Sequence, residues 1–184
     1  LRDGQTIVLG HEFAGVIERC GSRVRGYAPG MRVGVAPNIG CGRCALCARG
    51  LPNMCPEYSA YGIDFDGGHA EFVRIPAASI AQGSVVPLPD SVPFLEGALL
   101  EPLSCVVNGA RAARIELGDT VVVFGAGPIG LMHLMVARQS GAGRVLMADP
   151  IPARLESARA AGADGVVHVG KEDVAARIMA ETGG

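Results

Sequence analysis

The chain has 184 residues, 49% of them hydrophobic and 18% charged, with a formal net charge of −2. This excludes a disordered segment and leaves no basic field for nucleic acid. No uninterrupted apolar run of about twenty residues is present to span a bilayer, so the expectation is a soluble, cytoplasmic protein without nucleic-acid or membrane partners. Glycine, 27 of 184, stands at about twice its average frequency without a three-residue period, which marks tight turns and close backbone contacts.

Leu1 is not an initiator methionine and no charged-then-apolar signal follows it, so the six cysteines do not read as a secreted disulfide framework. Both ends read as cut, and the chain as a piece of a longer protein. Residues 7–9, 14–18 and 31–35 form short β-type runs separated by glycines, the organisation of a small barrel. Within them Gly10-His11-Glu12 sets an imidazole beside a carboxylate after a glycine that lets the backbone turn. Read alone, a hydrogen-bonded structural histidine and a solvated carboxylate explain the pair as well as a metal does.

Cys41, Cys44, Cys47 and Cys55 follow with the spacing C-x2-C-x2-C-x7-C. Four thiols in so short a stretch suit one tetrahedral Zn²⁺ in a closed structural site. Disulfides or an iron–sulfur cluster are the alternatives, although the fourth cysteine is too distant for the common bacterial cluster spacing. Arg43 and Arg49 would offset the charge of four thiolates. Residues 67–75 alternate like a returning strand, and His69 and Glu71 on it read as strand-edge polar groups. Residues 85–93 read as a proline-rich connector. The apolar run 94–105 is interrupted by Glu101-Pro102. Burying a carboxylate costs several kcal/mol unless it is paired or metal-bound, so Glu101 is a candidate partner for whatever His11 and Glu12 hold. A plain helix start with proline in its first turn is the alternative.

Residues 120–124, Thr-Val-Val-Val-Phe, predict a buried parallel strand leading into Gly125-Ala126-Gly127-Pro128-Ile129-Gly130 and a helix over 129–137. In such a strand–turn–helix, Gly125 serves the turn, Gly127 the approach of a pyrophosphate, and Gly130 close packing of helix on strand. A second strand, 144–148, ends in Asp149, placed to accept hydrogen bonds from a ribose 2′-hydroxyl. Helices over 152–161 and Val174–Thr182 and a third strand over 165–169 complete the pattern. His133 and His168 read as packing or surface residues, Cys20 and Cys105 as buried thiols.

Taken in this order, Gly10-His11-Glu12, the four-cysteine lobe, Glu101-Pro102-Leu103-Ser104 and the Gly-Ala-Gly-Pro-Ile-Gly loop resemble the zinc-dependent medium-chain alcohol dehydrogenases, and among them the sorbitol (polyol) dehydrogenase branch. The resemblance implies a mixed fold. A partial GroES-like, β-rich catalytic domain over 1–118, with its zinc lobe at 41–55, precedes a partial α/β Rossmann domain over 119–184. It implies a catalytic zinc at His11, Glu12 and Glu101, and a structural zinc at Cys41, Cys44, Cys47 and Cys55. NAD is implied at Gly125, Gly127, Pro128, Ile129, Gly130 and Asp149, with Arg154 lining the adenine–ribose pocket. The reaction implied is hydride transfer from a secondary alcohol, a polyol or sugar-derived one, to NAD, in a homodimer or homotetramer. The family's cysteine ligand and its Ser/Thr proton relay would lie before Leu1, and its later nucleotide-domain strands after Gly184. A threonine-type dehydrogenase on the same scaffold is the alternative enzyme. A non-catalytic zinc and nucleotide-binding protein is the alternative if no upstream cysteine exists.

Overall fold

Arg32–Val35 (β2) turns Val33 and Val35 into the interior and lies between Ala14–Val16 (β1) and Val85–Pro87 (β5) in an antiparallel sheet of order β1-β2-β5. Gly15 stands opposite Val33, and Gly34 opposite Val86. This is a computed structural model, and it describes residues 6–183; Leu1 and Gly184, on which the reading of cut ends rests, lie outside. Asn38–Ile39 (β3) pairs with Ser59–Ala60 (β4). Around these strands lie the short helices Ala45–Ala48 (α1), Ala77–Ala81 (α2) and Phe94–Gly97 (α3). Val35, Ile39 and Tyr61 form the core, packed by Phe13, Phe65, Val73 and Ile75. The Phe13 and Tyr61 rings meet edge to face at 5.6 Å.

Three expectations change here. Residues 7–9 and 67–75 carry no assigned strand. They are joined instead by a backbone clasp, because two consecutive glycines let residues 67–69 approach the carbonyls of 8–10 too irregularly for a ladder. The connector 85–93 begins with a true strand, and Pro87 is tolerated there because β5 is an edge.

The chain divides into two compact units, Leu1–Glu101 and Pro102–Gly184, earlier than the boundary after residue 118 that the sequence suggests. The reason is the helix Leu100–Ala113 (α4). Its Pro102, Val106 and Ala110 share one buried stripe, and a Cβ at Gly109 would come within 3.0 Å of the His133 ring. Cys105 falls off that stripe and is exposed, and Cys20 is half-buried; neither is the buried thiol expected.

The second unit is a parallel sheet of order β6-β7-β8, formed by Thr120–Phe124 (β6), Arg144–Asp149 (β7) and Gly165–His168 (β8). The helices are Pro128–Gln139 (α5), Pro152–Ala160 (α6) and Val174–Thr182 (α7). β7 is the buried strand, with Val145 to Asp149 all inside. β6, which the sequence suggests is buried, is an edge among the described residues, and Phe124 is 69% exposed. Leu134, Ala137, Val145, Met147, Leu155 and Ala158 make the core. Arg138 ties two connections together, donating to the carbonyls of Gly143 and Gly162 at 3.1 Å and pairing with Asp164. Among the described residues no helix is long and apolar enough to cross a membrane.

Candidate functional site

The cysteine lobe is built from turns. Ile39 anchors its entry in the core, α1 begins at Cys44 as N-cap, and a 3₁₀ turn over Pro52–Met54 delivers Cys55. One sulfur from each of Cys41, Cys44, Cys47 and Cys55 lies within 4.8 Å of the others. The Cys44 and Cys55 sulfurs are 3.8 Å apart. A tetrahedral zinc with Zn–S bonds near 2.3 Å sets its sulfurs about 3.8 Å apart, so the donors fit one ion. A disulfide would need about 2 Å, and Cys41, Cys44, Cys47 and Cys55 are free thiols. Backbone N–H groups aim at the sulfurs: Cys41 N and Glu57 N donate to Cys55 Sγ at 3.3 Å, Cys44 N to Cys41 Sγ and Cys47 N to Cys44 Sγ at 3.4 Å. Such donors favour the ionised sulfur. The N–H of Cys47 is the main cause that lowers the Cys44 pKa to about 7, whereas desolvation raises that of Cys47 to about 11. Arg43 is committed first to Glu57, at 2.8 Å, and reaches the Cys41 and Cys55 charges only as lesser influences.

The second cluster is long-range. His11 and Glu12 sit on the extended segment entering β1, and Glu101 in the first turn of α4. One ligand atom from each lies within 4.8 Å of the others, with His11 and Glu12 exposed and Glu101 half-buried. An imidazole nitrogen and two carboxylate oxygens suit zinc as three protein ligands with a position left open. Packing cannot aim two exposed side chains, so their direction comes from the backbone. The N–H groups of Gly67, Gly68 and His69 donate to the carbonyls of Val8 (2.7 Å), Gly10 (2.8 Å) and Leu9 (2.9 Å), and Asp66 Oδ1 accepts from Val8 N at 3.0 Å. Gly10 has φ +95°, open to few residues but glycine. The His69 ring covers it, 2.6 Å from where a Cβ would sit. A Cβ at Gly67 would lie 2.0 Å from the Gly10 carbonyl oxygen. Sequence reading missed this clasp and left His69 among edge residues; Asp66-Gly67-Gly68 carries a turn signal but no sign of what it grips. A separate groove of about 800 Å³ runs along β1, lined by Phe13, Val16, Val33, Phe72 and Val85 among others, and contains none of the three ligands.

The glycine-rich loop joins β6 to α5. Gly125 turns at φ +99° and its N–H donates to Ala148 O at 2.7 Å. A Cβ at Gly130 would lie 1.8 Å from the Gly125 carbonyl oxygen and 3.5 Å from the Met147 side chain, so this glycine closes the loop on its own helix as well as on the sheet. At Gly127 nothing stands within 4 Å of that position, which leaves an open backbone face at the N-cap of a helix begun by Pro128 and Ile129. Asp149 is only 2% exposed. Its Oδ2 accepts from Ala126 N and its Oδ1 from Ile151 N, both at 2.8 Å, and Arg154 lies 3.7 Å from Oδ2. The Ala126 N–H is the first cause holding its carboxyl below the usual range. The carboxylate expected to face a ribose therefore also fastens the loop to the end of β7.

Comparison with known proteins identifies the family. Residues 2–90 match the family model "Alcohol dehydrogenase GroES-like domain" and residues 128–184 the model "Zinc-binding dehydrogenase". The chain belongs to the zinc-dependent medium-chain dehydrogenase family, with a GroES-like unit followed by a Rossmann-type one. It is 35% identical to sorbitol dehydrogenase of Bacillus subtilis, over 95% of this chain and 48% of that protein. It is 40% identical to L-threonine 3-dehydrogenase of Rhizobium rhizogenes, over 92% of this chain and 47% of that protein. A zinc-binding dehydrogenase of Sinorhizobium meliloti 1021, solved bound to NADP, superposes with a TM-score of 0.84 at 38% identity, over 91% of this chain and 48% of that one. The chain thus spans about half the length of the relatives it matches.

Proposed function

We propose that the protein carrying this chain oxidises a secondary alcohol of the polyol or sugar-derived class, with zinc at His11, Glu12 and Glu101 and NAD as hydride acceptor. The observation that carries this reading is the meeting of those three side chains within 4.8 Å, two of them adjacent in sequence and the third 89 residues later. When bound, the zinc supplies Lewis acidity that favours the ionised alcohol, and the nicotinamide accepts hydride. His11 would contribute an imidazole nitrogen, and Glu12 and Glu101 carboxylate oxygens whose negative charge would temper that acidity. Cys41, Cys44, Cys47 and Cys55 hold a second, closed zinc that takes no part in the reaction. Gly125, Gly127, Pro128, Ile129 and Gly130 present the loop and helix N-terminus to the pyrophosphate. Asp149, with a second lone pair on each oxygen, would accept from the ribose 2′-hydroxyl and repel a 2′-phosphate, and Arg154 flanks it. The family resemblance further implies a cytoplasmic homodimer or homotetramer.

The 40% identity to an L-threonine 3-dehydrogenase favours a second reading, oxidation of the threonine hydroxyl on the same scaffold. The test is kcat/KM of the natural gene product containing residues 1–184 on a polyol panel and on L-threonine, with NAD and with NADP. Preference for a polyol with NAD is expected. Preference for L-threonine would favour the second reading, and preference for NADP would overturn the role given to Asp149.

A further inference from the structure

The residue that leads into the cysteine lobe is held by a side chain from outside it. Gly40 is buried and follows β3 directly, where regular pairing with β4 ends. Its N–H donates to Gln82 Oε1 at 3.0 Å, and its carbonyl accepts from Gln82 Nε2 at 2.9 Å. One amide side chain thus meets both polar groups of one peptide residue, as a neighbouring strand would. The same Nε2 also donates to Ala78 O in α2, at 3.1 Å, which ties Gln82 to its own helix. Gly40 precedes Cys41 and touches two further parts of the lobe. A Cβ on it would lie 2.5 Å from Cys47 Sγ and 3.1 Å from Pro52 Cβ, so the Cys47 sulfur rests against bare backbone.

We propose that Gln82 is a positioning residue for the cysteine lobe: by fixing both the N–H and the carbonyl of Gly40, it sets where Cys41 starts and where the Cys47 sulfur can rest. The proposal rests on the reading of the lobe as a zinc site. Gln82 touches no sulfur, and its effect passes through the Gly40 backbone. The four cysteines are spaced closely enough to reach one ion, and Gln82, from outside their loop, holds both polar groups of Gly40, against which Cys47 packs. Losing that hold should loosen Cys47 first, and with it the closed geometry that makes the ion slow to leave.

The experiment uses the 184-residue chain loaded with zinc, and follows transfer of zinc to the chelator 4-(2-pyridylazo)resorcinol; in parallel, cobalt(II) substitution reads thiolate ligation by its near-ultraviolet absorption. Outer partners of metal ligands are worth about 10–100-fold in metal affinity. Gln82→Leu, which keeps the side chain's bulk and loses both bonds to Gly40 and the one to Ala78, is expected to speed zinc release about tenfold or more and to weaken the cobalt–thiolate bands. Gln82→Glu keeps the acceptor for Gly40 N–H and loses the donors, so it should fall between; it decides the matter if the leucine variant does not fold. Val33→Ala loosens the sheet of the same unit away from the cluster that anchors the lobe, and should release zinc at the wild-type rate. Release within twofold of wild type for both Gln82 variants, or equal acceleration by Val33→Ala at matched loss of Tm, overturns the proposal. A wild-type chain holding no zinc that Cys47→Ser removes would instead overturn the zinc reading of the lobe.

Discussion

The two candidate metal centres of the first unit are built in opposite ways. The cysteine lobe takes its four ligands from fifteen consecutive residues, folds them by turns, and aims backbone N–H groups at the sulfurs. The other centre joins two neighbouring residues to a third on a distant helix, and nothing local to any of them makes a ligand set. The difference lies in where the entropy of assembly is paid: the lobe pays it in short loops, whereas the second centre depends on the whole unit having folded. A local site should therefore survive damage that disperses a long-range one.

The strongest way to break that contrast is His11→Ala. Turnover of the natural gene product is expected to fall at least about 100-fold, beyond the usual cost of losing even an outer-shell partner, while cobalt–thiolate absorption from the lobe stays unchanged. Loss of both signals together would show that the two centres are not independent. Next, zinc titrated into metal-free chain should fill the lobe first, since four thiolates outcompete one imidazole and two carboxylates for this ion; equal filling of the two, measured by Cys44→Ser and His11→Ala variants side by side, would contradict it.

A backbone change sharpens the contrast further. Gly67→Ala places a methyl group against the carbonyls of Leu9 and Gly10 and is expected to cost about 1–3 kcal/mol in urea unfolding, the usual range for overpacking. It should lower turnover while leaving zinc release from the lobe as it was. An effect of similar size on stability, with no metal centre involved, is expected at Asp149→Asn. One of the two N–H donors at Ala126 and Ile151 then faces an amide NH₂, costing about 1–3 kcal/mol at neutral pH. The folded pKa of Asp149 is lowered, so its contribution is present above the unfolded value of about 4 and disappears as pH falls through the folded one. The stability gap between wild type and variant should accordingly be constant from pH 7 to 5 and narrow below pH 4. A gap that widens in acid would contradict the assigned contacts.

What could be read in the sequence follows the same division. The cysteine spacing, the glycine-rich loop and the three strands of the second unit are local patterns, and the helix Val174–Thr182 appears with the bounds that its pattern indicates. Glu101 was legible only as a carboxylate out of place in an apolar run, because its partners lie 89 and 90 residues earlier. The Asp66–His69 clasp shows in the sequence only as a turn signal and Gln82 not at all, since both act on backbone groups, which every residue carries. Cys105 was misplaced because an apolar run cannot say which of its members falls off a helix's buried stripe, and β6 because strand composition does not distinguish an edge from a centre.

The clasp also separates regularity from rigidity. Residues 67–69 belong to no strand or helix, yet three successive N–H groups are spent on carbonyls of another segment. In amide hydrogen exchange these three protons should be as slow as those of β2 and far slower than their neighbours at 70–72, because releasing any one of them means lifting the segment off residues 8–10. The stretch that a ribbon drawing would show as plain coil is thus a hinge pin, and the peptide leading into His11 turns about it as little as a strand would.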